Sequence, residues 1–443
     1  MTHYYDRPRV IYQTEALYTS LDATGYHFGN NTAHDISGCL LRNESPTGCS
    51  GNLVRQLHRI QSVNFDYKIN WTNVDQYGQG ARLDFMQLTT PDITLDFEYL
   101  LADGYNEKLM GFHVDGTHQA LRNHIYDYNR KVGANFFLLT SDYGHDAIGT
   151  DLSIKPETKR IVGIGNAFLS QYALVAEVDK LPRARATFEG FNIRSYNTGV
   201  CNLPLPSVNP NKDCILSELG SEDLRFSLPD PEQGILYEQV SGMEDIYVKP
   251  GTTALRPGDI RIDLQNRSMV TEQVSGFSDT HGEVGQSSYD RGAGSIQGFA
   301  LNIPLGNTRM HRVGTHLEWT RSVNFPVNVE LQVDAIVGEL KKGGFATEYC
   351  KNPFDIRIVL HDCRCLVDCC NVAVQKQQNM TVEIRKATLT NEDFQSSIGD
   401  NKQVTLKFTA QLGSEDDEDS GVFISGKSFI PEKPNILAWG VPL

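Results

Sequence analysis

The sequence predicts a mainly β chain in which one β-rich unit occurs twice. Three observations support this: alternating apolar runs, a scarcity of helical patterns and an internal repeat. The runs are rich in Val, Ile, Phe, Tyr or Thr and are bounded by Gly, Pro, Asn or Asp, which is typical of strands. They are Ser62–Ile69, Ile93–Leu101, Ala184–Ile193, Val327–Val337, Phe354–Leu360, Met380–Leu389 and Val404–Leu412, with a shorter run at Ile260–Leu264.

Helical patterns are rare along the chain. The best candidate is Thr117–Lys131, in which Thr117 could serve as the N-cap. Leu121, Ile125 and Tyr128 would then lie on one helix face. We therefore expect little helix beyond this segment.

Two blocks of sequence recur in the same order. Gly80–Phe85 aligns with Gly314–Trp319 at an offset of 317 − 83 = 234. The second block recurs at 384 − 164 = 220, and it matches Ile164 with Ile384, Ala167 with Ala387, Leu169 with Leu389, and Phe188 with Phe408. Ordered blocks that preserve apolar alternation indicate an internal duplication.

The repeat divides the chain into five parts. We predict an N-terminal arm at residues 1–52, a first copy at 53–197, a middle segment at 198–295, a second copy at 296–427 and a C-terminal arm at 428–443. The middle segment is rich in Pro, Gly, Asn and Ser. Either it is a disordered linker, or its scattered apolar residues order it over the surface.

Charge and hydropathy exclude several classes of protein. The 443 residues include 40 basic and 55 acidic side chains, a formal net charge of −15. Tight nucleic-acid binding needs the opposite sign, because it neutralises phosphates. No run approaches the roughly 20 apolar residues of a transmembrane helix, and the first residues do not resemble a signal peptide. We therefore expect the protein to be made in a cytosol. We expect it not to bind membranes.

One motif matches a phosphate-binding loop. Gly421–Ser428 fits the pattern G-x4-G-K-[ST], which requires a loop followed by a helix. The intervening Val, Phe and Ile favour a strand instead, and the prolines at 431 and 434 oppose a helix. We therefore predict a strand here and no nucleotide site.

A cysteine cluster offers the other candidate site. Its members are Cys350, Cys363, Cys365, Cys369 and Cys370. Their spacing lacks the C-x2-C pairs that form zinc sites readily. This spacing is compatible with disulfides and with buried free thiols. Metal binding is less favoured. We expect no metal or cofactor.

Catalytic motifs are absent from the sequence: there is no G-x-S-x-G, no H-E-x-x-H and no recognisable Cys–His pair. A pair of glycosidase carboxylates could still be hidden among the 55 acids. The sequence therefore favours a protein that is not an enzyme.

Several segments resemble the major tail tube proteins of tailed bacteriophages. They are Leu57–Asp66, Thr72–Leu83, Pro91–Tyr99, Asn307–Thr315, Phe325–Leu331 and Leu389–Lys402. The resemblance implies that each copy is a β-sandwich or small barrel with a flanking helix. It also implies rings of six units that stack around a DNA channel. Three chains with two units each would close such a ring.

The resemblance also implies roles, partners and a location. Loops 70–80 and 304–314 would contact the next ring through Asn73, Asp75, Tyr77, Arg82, Asn307, Arg309 and Arg312. Partners would be further copies of the chain and the tape measure, terminator and distal tail proteins, in the tail of a virion assembled in the host cytoplasm. DNA would pass without specific binding. Alternatives are a distal tail or baseplate ring protein and, from other classes, a glycan-binding β-sandwich module or a hydrolase.

Overall fold

The chain is mainly β and contains one large antiparallel sheet, with little helix. The computed structural model describes residues 14–20, 54–126, 133–141, 146–147, 159–196, 203–208, 225–226, 228, 254–255, 257, 260–266, 295–313, 318, 320–336, 353–362, 377–395 and 403–426.

The described strands are numbered in chain order. They are β1 (Glu15–Ser20), β2 (Val54–Gln56), β3 (Ile60–Lys68), β4 (Trp71–Val74), β5 (Asp84–Gln87), β6 (Asp92–Leu100), β7 (Ala134–Thr140), β8 (Arg160–Glu177), β9 (Arg183–Gly190), β10 (Asn192–Tyr196), β11 (Leu203–Pro204), β12 (Arg225–Phe226), β13 (Ile260–Asn266), β14 (Ser295–Pro304), β15 (Asn307–Met310), β16 (Thr320–Val323), β17 (Asn328–Ile336), β18 (Phe354–Asp362), β19 (Gln377–Gln395), β20 (Gln403–Gln411) and β21 (Gly421–Gly426).

All the alternating runs singled out in the sequence are strands, so those predictions are confirmed. The predicted helix at Thr117–Lys131 is largely wrong. The helix found there, α2 (Arg122–Ile125), has Leu121 and not Thr117 at its N-cap position. The carboxylate of Asp115 accepts the Thr117 amide at 3.0 Å, which makes a turn there. Residues 127–131 lie outside the described part of the chain.

A second short helix, α1 (Tyr105–Met110), was missed by sequence analysis. It lies between two glycines with positive φ, Gly104 at 80° and Gly111 at 99°. Glycine adopts this backbone conformation without the steric cost that a β-carbon brings. Six residues are too few for a clear apolar period, which explains the omission.

Two long strands, β8 and β19, pair with different strands along their length. The first part of β8 pairs with β7 and β10, and its last part pairs with β9. Likewise, the first part of β19 pairs with β18 and β21, and its last part with β20. The first part of each long strand therefore belongs to an outer layer of strands, β7 and β10 or β18 and β21. The last part belongs to a central layer that contains β9 and β20.

Apolar residues fill the space between the layers in each half of the chain. Phe136 of β7 lies 4.6 Å from Phe188 of β9 between ring centroids, and 5.8 Å from Phe97 of β6. In the second half Phe354 of β18 lies 5.7 Å from Phe408 of β20. All five side chains are at most 3% exposed, and buried aromatic rings contribute strongly to core stability.

Irregularities in strand pairing recur between the halves. Shifts in register occur between β7 and β8, between β8 and β9, and between β3 and β6. The pairs β18/β19, β19/β20 and β14/β17 have shifts at matching positions. Asn166 in β8 and Lys386 in β19, at 386 − 166 = 220, also share a positive φ, 52° and 56°.

Parts of the middle segment pack on the first half of the chain. Leu203, Leu205, Phe226 and Leu228 are buried against the outer face of β1, β7 and β8. The ring of Phe226 lies 4.1 Å from that of Phe137. These described residues of the segment therefore form part of an apolar cluster with the first half of the chain.

We expect a measurable acid sensitivity from His58. Its side chain is buried beside the Tyr105 ring, and burial, with the nearby Arg59 charge, lowers its pKa from 6.5 to about 4. Between these values the unfolded chain binds a proton that the folded chain does not, so stability is lost as pH falls from 6.5 to 4. The full shift corresponds to about 3 kcal/mol.

The measurement is the free energy of unfolding from pH 7 to pH 4. His58→Gln cannot titrate, whereas both hydrogen bonds between position 58 and Asn106 use backbone atoms of position 58 and can persist. We expect the variant to lose less stability than the wild type over this range. Equal slopes for the two proteins would contradict the prediction.

Candidate assembly interface

The two halves of the chain are joined by direct strand pairing. Residues Gly298–Pro304 of β14 pair antiparallel with Gln171–Glu177 of β8. The same part of β8 pairs with β9 on its other side, and β14 pairs with β17. A continuous run of eight strands results, in the order β3–β6–β9–β8–β14–β17–β20–β19. We call the β8–β14 junction the seam.

A hairpin reinforces the seam with a charged network. Strands β15 and β16 form this hairpin in the second half. Arg321 makes a two-pronged contact with Glu318, 3.0 Å at both prongs, and donates to Glu189 of β9 at 2.9 Å. Arg309 pairs with Asp92 of β6. The network therefore connects the hairpin to two strands of the first half.

The network is buried and its charges are paired. The side chains of Arg321 and Glu318 are fully buried, and the guanidinium also lies 4.8 Å from the centre of the Phe191 ring. Thr90 donates a further hydrogen bond to Glu318 at 3.0 Å. Buried charges are tolerated only when they are paired and hydrogen-bonded in this way.

At each end of the eight-strand run lies a strand segment that has one neighbour among the described residues. At one end β3 pairs with β6. At the other end, Thr388–Gln395 of β19 pairs with β20. Unprotected edges of this kind attract further strands.

These two edges expose apolar residues that belong to the core face of the sheet. Phe65 of β3, opposite the buried Leu95, is 39% exposed, and Tyr67 is 57% exposed. Phe394 of β19, opposite the buried Val404, is 40% exposed. These side chains lie on the core face of the sheet and are still partly open to solvent.

The positions that match them at the seam are buried. The shared bulges relate Phe65 to Leu301 (301 − 65 = 236) and Phe394 to Leu174 (394 − 174 = 220). Leu301 and Leu174 are 1% and 0% exposed, and they lie directly opposite each other across the seam. The two edges therefore have the apolar character of the seam, but no partner strand lies beside them among the described residues.

A second hairpin, formed by β4 and β5, is also rich in exposed apolar side chains. The rings of Trp71 and Phe85 pack edge to face at 4.9 Å, yet they remain 54% and 44% exposed. Leu83, Met86 and Leu88 are at least half exposed as well. An exposed apolar patch of this kind is typical of a protein–protein contact.

The face of the eight-strand run that lies away from the core is polar, with more acids than bases. Arg185 pairs with Asp96 at 2.6 Å and Arg183 with Glu98 at 2.7 Å, which neutralises part of this charge. The charged residues of this face are Asp66, Lys68, Asp92, Asp96, Glu98, Glu177, Arg183, Arg185, Glu189, Glu330, Asp334, Asp393 and Lys407.

The residues predicted to stack rings fall into two groups. Asn73, Asp75, Tyr77 and Arg82 lie in or near the exposed β4–β5 hairpin, where Arg82 donates to the Asn73 side chain at 3.3 Å. Asn307 and Arg309 instead contact the first half of the same chain, Asn307 through the Leu169 carbonyl at 3.2 Å. Arg312 is exposed.

Cys350, Cys363, Cys365, Cys369 and Cys370 lie outside the described residues, so their pairing stays a prediction. The part Gly421–Gly426 of the phosphate-loop motif is strand β21, as predicted.

A search with the sequence matched no protein-family model and no curated protein. Among the described residues, no helix has the length and apolar character needed to cross a membrane.

Proposed function

We propose that this chain is a non-enzymatic structural subunit of a phage tail tube, in which three chains form a pseudo-hexameric ring. The observation that carries the proposal is the seam. Within one chain, β14 of the second half adds to β8 of the first half. The strands at matching positions, β3 and β19, are the two exposed edges of the run.

If two chains pair through their edges in the register of the seam, each edge residue has a defined partner. Leu301 faces Leu174 at the seam, so Phe65 of one chain would face Phe394 of the next. Tyr67 would face Glu392, whose pKa is already raised by burial. The pairing is head to tail, since the two edges differ, and a repeated head-to-tail contact closes into a ring when the rotation allows.

Ring size follows from strand geometry. Three chains would contribute about 24 strands spaced about 4.8 Å apart. With the usual tilt of 35–45°, such a barrel has a backbone diameter of about 45–50 Å. That leaves a channel for duplex DNA after side chains are placed. We propose that the polar face lines it, where the excess of acids would keep DNA from adhering.

The proposal includes two copies of one β-sandwich or small-barrel unit per chain. Its support is the set of matching bulges, the matching positive φ of Asn166 and Lys386, and the aromatic contacts between layers in each half. On this basis β1 and β13 occupy matching places, next to β7 and β18. Each unit would then begin before the limits of 53 and 296 set by sequence.

The biological setting is proposed from the sequence resemblance. The ring would stack on further rings and contact the tape measure, terminator and distal tail proteins in the virion tail. The exposed β4–β5 hairpin would add intersubunit contacts. No cofactor is required, because the chain would act by shape and charge alone.

The test is negative-stain electron microscopy of the purified chain, combined with native mass measurement. We expect rings with a central channel, a mass of three chains and stacking into tubes. A monodisperse monomer at high protein concentration would contradict the proposal. Single trimeric rings that never stack would favour a distal tail or baseplate ring.

A further inference from the structure

A cluster of metal-ligand side chains lies outside the assembly interface. His113, Asp115 and His118 each offer one ligand atom, and these atoms lie within 4.8 Å of one another. The two imidazole rings are 5.5 Å apart. Asp115 and His118 are exposed and His113 is half-buried, so an ion could reach the cluster from solvent.

We propose that His113, Asp115 and His118 bind one divalent transition-metal ion of the zinc class. Two imidazoles, one carboxylate and a water molecule would complete a tetrahedral site. Zinc sites with three protein ligands use these donor types, and imidazole favours zinc, copper and nickel over magnesium and calcium. The proposal does not depend on the tail-tube function.

The hydrogen bonds around His113 prepare it as a ligand. Asn123 donates through Nδ2 to the Gly111 carbonyl at 2.9 Å, which turns its Oδ1 towards His113. The Nε2 of His113, 2.9 Å from that oxygen, is therefore the donor. The lone pair of the imidazole then lies on Nδ1. Metal-binding histidines almost always have such a partner on the other nitrogen.

The position of Asp115 also suits a metal. Its Oδ1 accepts hydrogen bonds from the backbone amides of Thr117 and His118, both at 3.0 Å. Its Oδ2 lies 2.6 Å from Nδ1 of His118, so two of the three ligands are already adjacent. A metal that binds through this nitrogen would displace the proton that it donates to Asp115.

The backbone of the loop is held in place by β21. Gly116 donates to the Ile424 carbonyl at 2.9 Å, and Ala120 donates to the Val422 carbonyl at 2.8 Å. Asp115 forms a β-bridge with Ser425. Since the loop belongs to the first half and β21 to the second, a bound metal would stiffen a contact between the halves.

The proposal is tested by titrating the full chain with zinc chloride in a calorimeter. Thiols are first blocked with N-ethylmaleimide so that cysteines do not compete, and bound metal is removed with a chelator. We expect one zinc ion to bind the wild type and to raise its unfolding temperature. His118→Ala should lose both effects, whereas His311→Ala, which removes an exposed histidine elsewhere, should retain them.

Asn123→Ala provides an independent test because it leaves all three ligands in place. We expect its zinc affinity to fall about 10- to 100-fold, the usual effect of removing the partner of a metal-binding histidine. Circular dichroism at room temperature verifies that each variant is folded, and Asp115→Asn replaces His118→Ala if that variant is not. Absence of zinc binding by the wild type would overturn the proposal. So would equal zinc binding by the wild type and the folded ligand variant.

Discussion

Replacing Arg321 with methionine is expected to lower the free energy of unfolding by about 3–5 kcal/mol, a typical cost of breaking a buried ion pair. Methionine keeps much of the packing but removes the charge that faces Glu318 and Glu189. Glu318 is fully buried, and among the described residues its carboxylate would keep as partners the Thr90 hydroxyl and the more distant Arg309, 3.9 Å away. Urea denaturation of the unassembled chain measures the change.

Two further variants separate charge from packing. Arg321→Met combined with Glu318→Met removes both charges, and we expect it to regain much of the lost stability because no buried charge is left unpaired. Arg185→Met breaks an ion pair with Asp96 in which Arg185 is 63% exposed, so its expected cost is only about 0–1 kcal/mol. Equal losses for Arg321→Met and Arg185→Met would contradict this account of the seam.

Sequence analysis predicted the strands well because alternation with period two is a local signal. On the proposed duplication, the same signal does not fix the register of the first repeat block. The pairing of β3 with β6 and of β14 with β17 gives an offset of 296 − 60 = 236, whereas the sequence alignment used 234. A shift by two residues keeps every side chain on the same face, so alternation cannot detect it.

The seam could not be predicted from sequence in the same way. Arg321 is one of many charged residues in the second half, and nothing nearby in sequence indicates that it is buried against β9. The partners of Arg309 include Asp92, more than two hundred residues away. The contacts that Asn307 and Arg309 make with the first half of the chain could not be read from the sequence either, and their role in ring stacking, implied by the resemblance, stays a prediction.

The metal-ligand cluster was also missed. His113, Asp115 and His118 are close in sequence, but the segment was interpreted as the approach to a helix. In a helix from 117 onward, His113 and Asp115 would precede the first turn and would not converge with His118. The glycines at 111 and 116, both with positive φ, were the signal that this stretch is a tight loop.

Replacing Phe65 with lysine is expected to abolish assembly while leaving the chain folded. Phe65 is 39% exposed in the single chain, so a lysine there can reach solvent. In a ring, the same position would be covered as Leu301 is at the seam, and an unpaired buried charge is costly. We expect native mass to give monomers and electron microscopy to show no rings, with circular dichroism unchanged.

The register of this contact can be tested by rescue. If Phe65 faces Phe394 of the next chain, Phe65→Lys combined with Phe394→Glu places opposite charges directly across the strands, which is a favourable cross-strand pair. We expect this double variant to recover part of the assembly. Phe65→Lys with Gln395→Glu is the matched control, because Gln395 lies on the other face of the strand, opposite Gln403. Recovery by both double variants would show that net charge, and not the proposed register, governs assembly. Rings formed by Phe65→Lys alone would exclude β3 as the edge that pairs.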